Sequence, residues 1–305
     1  MKHKISWAGI LITVVGSLFF STKAVIVKYA FKHTDIDAIS LLALRMLFSL
    51  PFYLVMAWLA SSKEGNKKLN TRQWGYIFLL GIFGYYLSSL FDFLGLQYIS
   101  AGIERLILFL YPTFVLLINT VVFKERGSKT QWLAVVLTYV GVVLAYLGEL
   151  SFEKNNPNFL LGSFLIFLCA ITFAVYIAGS GRVIPAVGPT KFTAYAMLFS
   201  TVGVFLHFIF KGNYTILNSG SSYVGYGLLI ATVATVIPSW LVAAGTKAIG
   251  SNNVAIISTI GPVSTILQAH FILGEPVYTV QIIGTLLIVT GVLIIGWKPK
   301  AKLPE

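Results

Sequence analysis

Charge is scarce in this chain. Only 10% of its 305 residues are Asp, Glu, Lys or Arg, against about 25% in a soluble globular protein. Cysteine is almost absent too: Cys169 stands alone inside an apolar stretch, which excludes a fold stapled by internal disulfides. There is no phosphate loop, no His-Glu-x-x-His, no Cys-x-x-Cys and no serine nucleophile elbow, so the common nucleotide, zinc-protease, redox and hydrolase signatures are missing. His207 and His270 lie on different apolar segments with no carboxylate at ligand spacing, so no metal is expected. No cofactor is expected either. Basic residues outnumber acidic ones by 22 to 10, yet they form no stripe interleaved with aromatics outside the apolar segments, which argues against nucleic acid as a partner.

Apolar side chains are what the chain has in quantity. They make up 57% of the residues, 23 Phe, 15 Tyr and 6 Trp among them, and the mean hydropathy is +0.86. Too little polar surface remains to keep such a chain in water. About 20 apolar residues cross the hydrocarbon core as a helix, and ten stretches qualify: 5–29, 38–60, 73–97, 101–123, 131–148, 159–180, 190–210, 223–244, 252–273 and 278–297. They are too long and continuous for the alternating strands of a membrane barrel. The expected fold is an all-α integral membrane protein of ten transmembrane helices. Its first stretch lacks a small-residue cleavage pattern and reads as a membrane helix, not a removable leader.

An even number of helices puts both ends on one side, and the basic residues say which. Lys2, Lys4, Lys63, Lys67, Lys68, Arg72, Lys124, Arg126, Lys129, Arg182, Lys191, Lys247, Lys298, Lys300 and Lys302 fall on one set of connectors; Lys32, Lys154 and Lys211 fall on the other. The positive-inside rule then places both termini in the cytoplasm, with a plasma membrane, of the bacterial inner-membrane kind, as the expected location. The second half also repeats the first. Gly95, Ile99, Pro112, Glu125, Gln131 and Gly141 recur 150 positions later as Gly245, Ile249, Pro262, Glu275, Gln281 and Gly291. Five helices per copy force the two copies to insert with opposite orientations, the inverted repeat of many secondary transporters.

Three stretches resemble the EamA-like branch of the ten-helix drug/metabolite transporter superfamily. They are Gly16-Ser17-Leu18-Phe19-Phe20-Ser21-Thr22-Lys23; Arg45, a few residues into the second helix; and Leu96-Gln97-Tyr98-Ile99-Ser100-Ala101-Gly102 followed by Pro112 and Glu125-Arg126. A weaker copy of the third runs from Lys247-Ala248-Ile249 to Pro262 and Glu275. The likeness covers two repeats, 7–147 and 160–296. It implies a transporter of small metabolites, frequently an exporter of amino acids, with a central cavity between the helices. Asp92 and Glu104-Arg105 are not general features of that family, and the places aligned with Lys23 and Arg45 in the second half hold residues such as Tyr176 and Ala196.

Charges within lipid cost about 2.5–3.5 kcal/mol each on insertion scales, so they face protein or water and usually serve a purpose. Lys23, Arg45, Asp92, Glu104 and Arg105 fall at similar depth in the first repeat and can largely neutralise one another. They read either as a salt-bridge cluster joining helices one to four or as contacts for a charged solute. Ser88 and Asp92 are one turn apart on a polar stripe with Tyr85 and Ser89 alongside, and Tyr176 and Trp240 add aromatic lining. Pro112 and Pro262 occupy matching mid-helix positions, where a kink frees the carbonyls of Leu108 and Ser258 for a cavity or a polar neighbour. The expected function is alternating-access transport of small zwitterions, with the substrate and the bilayer as partners and a monomer sufficient. Two rivals remain at the level of sequence: a membrane-embedded enzyme on lipid-linked substrates using Asp92 or Glu104 as base, and a purely structural membrane protein.

Overall fold

A computed structural model describes residues 7–62, 68–124, 129–150, 156–214, 221–249, 257–258 and 260–296. Expectations for Lys2, Lys4, Lys63, Lys67, Glu125, Arg126, Lys154 and the lysines at 298–302 lie outside these residues. The described chain is helical throughout its ordered elements. Among the described residues, seven helices are long and apolar enough to cross a membrane: Trp7–His33 (α1), Ala38–Ser61 (α2), Thr71–Leu96 (α3), Ala101–Val121, Phe159–Val187 (α7), Pro189–Lys211 (α8) and Tyr223–Val242 within 221–249 (α9). Ala101–Val121 is broken into Ala101–Leu108 (α4) and Tyr111–Val121 (α5). The helices Lys129–Leu150 (α6) and Thr279–Gly296 (α11) contain shorter apolar runs, Val135–Tyr146 and Thr279–Gly291. The stretch expected at 252–273 is described from 257 onward, with Gly261–Gln268 (α10) continuing into a π segment at Ala269–Leu273.

Local chemistry sets the helix starts. The Asp37 carboxylate accepts the amides of Ile39 and Ser40 (3.0 and 2.9 Å) to open α2. Asn70 and Gln73 form a reciprocal capping box at α3, and the Ser100 hydroxyl accepts the Ile103 amide (3.1 Å) at α4. Along the spans, Thr13, Ser21, Ser49, Ser88 and Ser163 donate to carbonyls one turn earlier, which satisfies hydroxyls where no water is at hand.

Small residues let the helices approach. At the crossing of α6 and α11, a Cβ on Gly141 would lie 2.6 Å from the Gly284 carbonyl oxygen, and one on Gly284 would lie 2.5 Å from that of Gly141. The main core gathers Val25, Leu41, Met46, Phe93, Met197 and Ile230 from α1, α2, α3, α8 and α9; a second joins α4, α6, α7 and α11 around Ile103, Ile166 and Ile288. Large apolar side chains such as Trp58, Leu206 and Phe271 stand on the outside, as a lipid-facing surface requires.

Two features differ from the expected run of simple helices. Helices α3 and α9 each contain a π segment, Ile82–Leu87 and Thr232–Val236, whose first residues are 150 positions apart, the spacing of the sequence repeat. The prolines do not kink continuous helices. Pro112 sits in the first turn of α5, after the chain breaks at Phe109 and Leu110, and Pro262 sits in the first turn of α10, so each restarts a helix where its missing N–H costs nothing.

Candidate functional site

The site is built on the polar side of α1. Ser17 shares a hydrogen bond with Ser258 (3.1 Å), and the Ser21 hydroxyl reaches the Gly261 carbonyl (3.2 Å). Ser258 and the start of α10 thus supply partners for the polar side of α1. Thr265 on α10 donates to the Ser21 carbonyl (3.2 Å), while Arg105 Nε donates to Thr265 Oγ1 (3.1 Å). Hydroxyls therefore tie α1, α10 and α4 together one turn inward from the charges.

Lys23 leaves the same helix and pairs with Asp92 of α3 at 2.6 Å (Nζ to Oδ2). Asp92 has no solvent exposure, whereas the Lys23 side chain keeps 19%. Glu104, also fully buried, has Oε2 3.7 Å from Arg105 Nε, and its carboxyl group neighbours that of Asp92. Among the described residues, no hydrogen bond reaches either Glu104 oxygen or Asp92 Oδ1, and none leaves Arg105 Nη2. Arg45 of α2 closes the group: it donates to Ser89 Oγ (3.1 Å) and lies 5.7 Å from the centre of the Phe93 ring. Three cations and two carboxylates from four helices thus share one buried region, with one formal positive charge in excess. Partly satisfied buried ionic networks are costly for stability, and function is the common reason to keep them.

The aromatic wall is placed by the π segment of α3. Tyr85 and Tyr176 share a hydroxyl–hydroxyl hydrogen bond of 2.9 Å with rings edge to face at 4.9 Å. This needs Gly84, because a Cβ there would lie 2.2 Å from the Tyr176 ring. Tyr53 is buried beside Arg45 and Ser239.

Five of the residues singled out by sequence, Lys23, Arg45, Asp92, Glu104 and Arg105, come together, with Tyr85 and Tyr176 as neighbours. Ser88 spends its hydroxyl on the Gly84 carbonyl (2.7 Å). Trp240 is 66% exposed and faces outward, so it does not line this region. His207 bonds the Tyr86 hydroxyl (2.9 Å) and His270 the Glu275 carbonyl (2.8 Å), each away from the charges. Sequence reasoning missed Thr265 and Tyr53. A signal for Thr265 existed in the Ser264-Thr265 pair that follows Pro262 and Val263; for Tyr53 there was none.

Spanning helices around a buried, mixed-charge core define a multi-pass membrane protein. The model of the EamA-like transporter family matches residues 7–147 and 160–297, and the chain belongs to that family, within the drug/metabolite transporter superfamily. It is 31% identical to the uncharacterized transporter YcbK of Bacillus subtilis (strain 168), over 91% of this chain and 89% of that one. It is 24% identical to the uncharacterized transporter sll1319 of Synechocystis sp. (strain ATCC 27184 / PCC 6803 / Kazusa), over 95% and 93%. A crystal structure shares the fold with a TM-score of 0.63 at 18% identity, over 94% of this chain and 96% of that one.

Proposed function

We propose that the chain is a secondary transporter that moves small zwitterions, amino acids or related metabolites, out of a bacterial cell by alternating access. The buried cluster of Lys23, Arg45, Arg105, Asp92 and Glu104 carries this reading. A zwitterion brings a carboxylate and an ammonium, and each needs a counter-charge in a medium that supplies no water. A cluster with both signs, one excess cation and several unused donor and acceptor atoms offers both. The solute's carboxylate competes for Lys23 and its ammonium for Asp92, so binding opens the ion pair that holds α1 to α3.

Ten spans in two inverted repeats fit this reading. The π segments 150 positions apart give α3 and α9 the same local irregularity, and such irregularities sit where a helix must bend or rearrange. The two restarted helices, α5 and α10, are the discontinuous elements that line transport sites near the midplane in other transporters. Purified protein in liposomes should accumulate labelled amino acids down a gradient without ATP. Failure across a broad panel of amino acids and other small metabolites sinks the proposal.

A further inference from the structure

A cavity of about 350 Å³ opens at the end of the bundle where α1 finishes. Lys28 and Lys32, one turn apart on α1, line it together with Tyr98, Asn156, Glu275 and Tyr278. Both ammonium groups are held in place by helix ends. Lys28 Nζ donates to the carbonyl of Leu96, the last residue of α3 (2.9 Å), and Lys32 Nζ to that of Leu273, which closes the π segment after α10 (3.1 Å). A lysine has three N–H donors, and the bond from Lys32 to Leu273 takes one. The carboxylate in the lining is engaged: Glu275 accepts the amides of Ala101 and Gly102 at the start of α4 (3.1 and 3.3 Å). Two oriented cations against one engaged anion leave the cavity with a formal charge of +1 and neutral donors in its wall. Its volume is at the small end of the range of ligand sites, roughly 300–1,000 Å³.

The cavity lies further along α1 than the buried cluster. Lys23 meets Asp92 and, further along both helices, Lys28 meets Leu96, so α1 and α3 run side by side in one direction. Five residues of helix separate Lys28 from Lys23, a rise of about 7.5 Å. We propose that this cavity is an oxyanion subsite, distinct from the buried cluster, which seats a carboxylate or phosphate group between Lys28 and Lys32. The group is carried either by a soluble solute or by a phospholipid headgroup at the membrane boundary.

Binding is read on the purified full chain in detergent, without a gradient, so the result is independent of whether transport is found. Thermal melts with sodium acetate, inorganic phosphate and the short-chain lipid dihexanoyl phosphatidylglycerol, each against chloride at equal ionic strength, should show saturable stabilisation by at least one probe. Saturation by acetate or phosphate assigns the seat to a soluble solute; saturation by the lipid alone assigns it to a headgroup. Lys32→Gln should weaken that binding by about tenfold, as loss of a charge-assisted contact does, while Lys32→Arg stays close to wild type. Gln97 also lines the cavity, and Gln97→Trp fills it without touching either lysine, so it should abolish the effect even where Lys32→Gln folds poorly. No saturable stabilisation by any probe, or equal affinity in wild type and both disabling variants, overturns the proposal.

Discussion

At the scale of the residue, the ion pair of Lys23 and Asp92 separates structural from functional readings. Asp92 is fully buried, and removing its cation leaves a charge in a medium that stabilises it poorly. Breaking one side of a buried pair costs about 3–5 kcal/mol, an upper bound here because Lys23 keeps some exposure and Arg45 and Arg105 lie close by. Lys23→Met should therefore lower the melting temperature by several degrees and stop transport. Adding Asp92→Asn should recover stability, because the uncompensated carboxylate is gone, but transport should stay absent because both solute contacts are lost. Thermal melting and liposome uptake on the two variants give the answer; uptake restored in the double variant makes the pair purely structural. A second residue-scale test concerns Gly84, whose missing side chain makes room for the Tyr176 ring. Gly84→Ala should destabilise by about 1–3 kcal/mol, the usual cost of overpacking, and disturb the hydroxyl contact of Tyr85 with Tyr176. Gly75→Ala, with nothing within 4 Å of its added carbon, is the matched control and should raise the melting temperature slightly, as alanine favours the helix over glycine.

At the scale of the element, α3 shows what was legible beforehand and what was not. Its span, 73–97, and the charges on it follow from hydropathy and from the cost of charge in lipid, and the structure places the helix at Thr71–Leu96. The π segment at Ile82–Leu87 leaves no mark on hydropathy, since one extra residue in a wholly apolar helix changes neither length nor polarity enough to register. The prolines misled for a related reason. Pro112 and Pro262 look mid-helical by position, but the chain escapes the lost hydrogen bond by ending one helix and starting another. Trp240 misled because, in lipid, an aromatic outside the bundle is as well solvated as one inside it. The π segment has a testable consequence. Deleting Phe83 should convert it to regular α-helix, and one residue of helix is a rotation of about 100°. Asp92 would then swing off the side that faces Lys23 while every charged residue remains in the chain. The deletion variant should insert and keep its helical circular dichroism yet lose transport; wild-type uptake would show that the π segment does not set the register of the site.

At the scale of the whole molecule, contacts between helix ends define two faces. Ser61 bonds Tyr195 (2.8 Å) and Trp74 packs against the same ring, while Arg182 lies 4.5 Å from the centre of the Phe123 ring. The ends of α2, α5 and α7 and the starts of α3 and α8 share that face. The opposite face holds the end of α1, the start of α4 and the turn after α10, joined by Lys32 to Leu273 and by Glu275 to Ala101 and Gly102. The first face carries Lys68, Arg72, Lys124, Lys129, Arg182 and Lys191, so the positive-inside rule predicts that it faces the cytoplasm. Helix α8 begins beside Tyr195 and spans Pro189–Lys211, 23 residues or about 34 Å at the usual rise, which carries Asn213 across to the other side. Asn66 lies in sequence between Ser61 and Trp74, both of which are on the first face. In a Cys169→Ser background, a cysteine at Asn213 should react with a membrane-impermeant maleimide added to intact cells. One at Asn66 should react only after the membrane is opened. Labelling of both from outside, or of neither, overturns the orientation and with it the order in which an exported solute would meet Lys23 before Lys28 and Lys32.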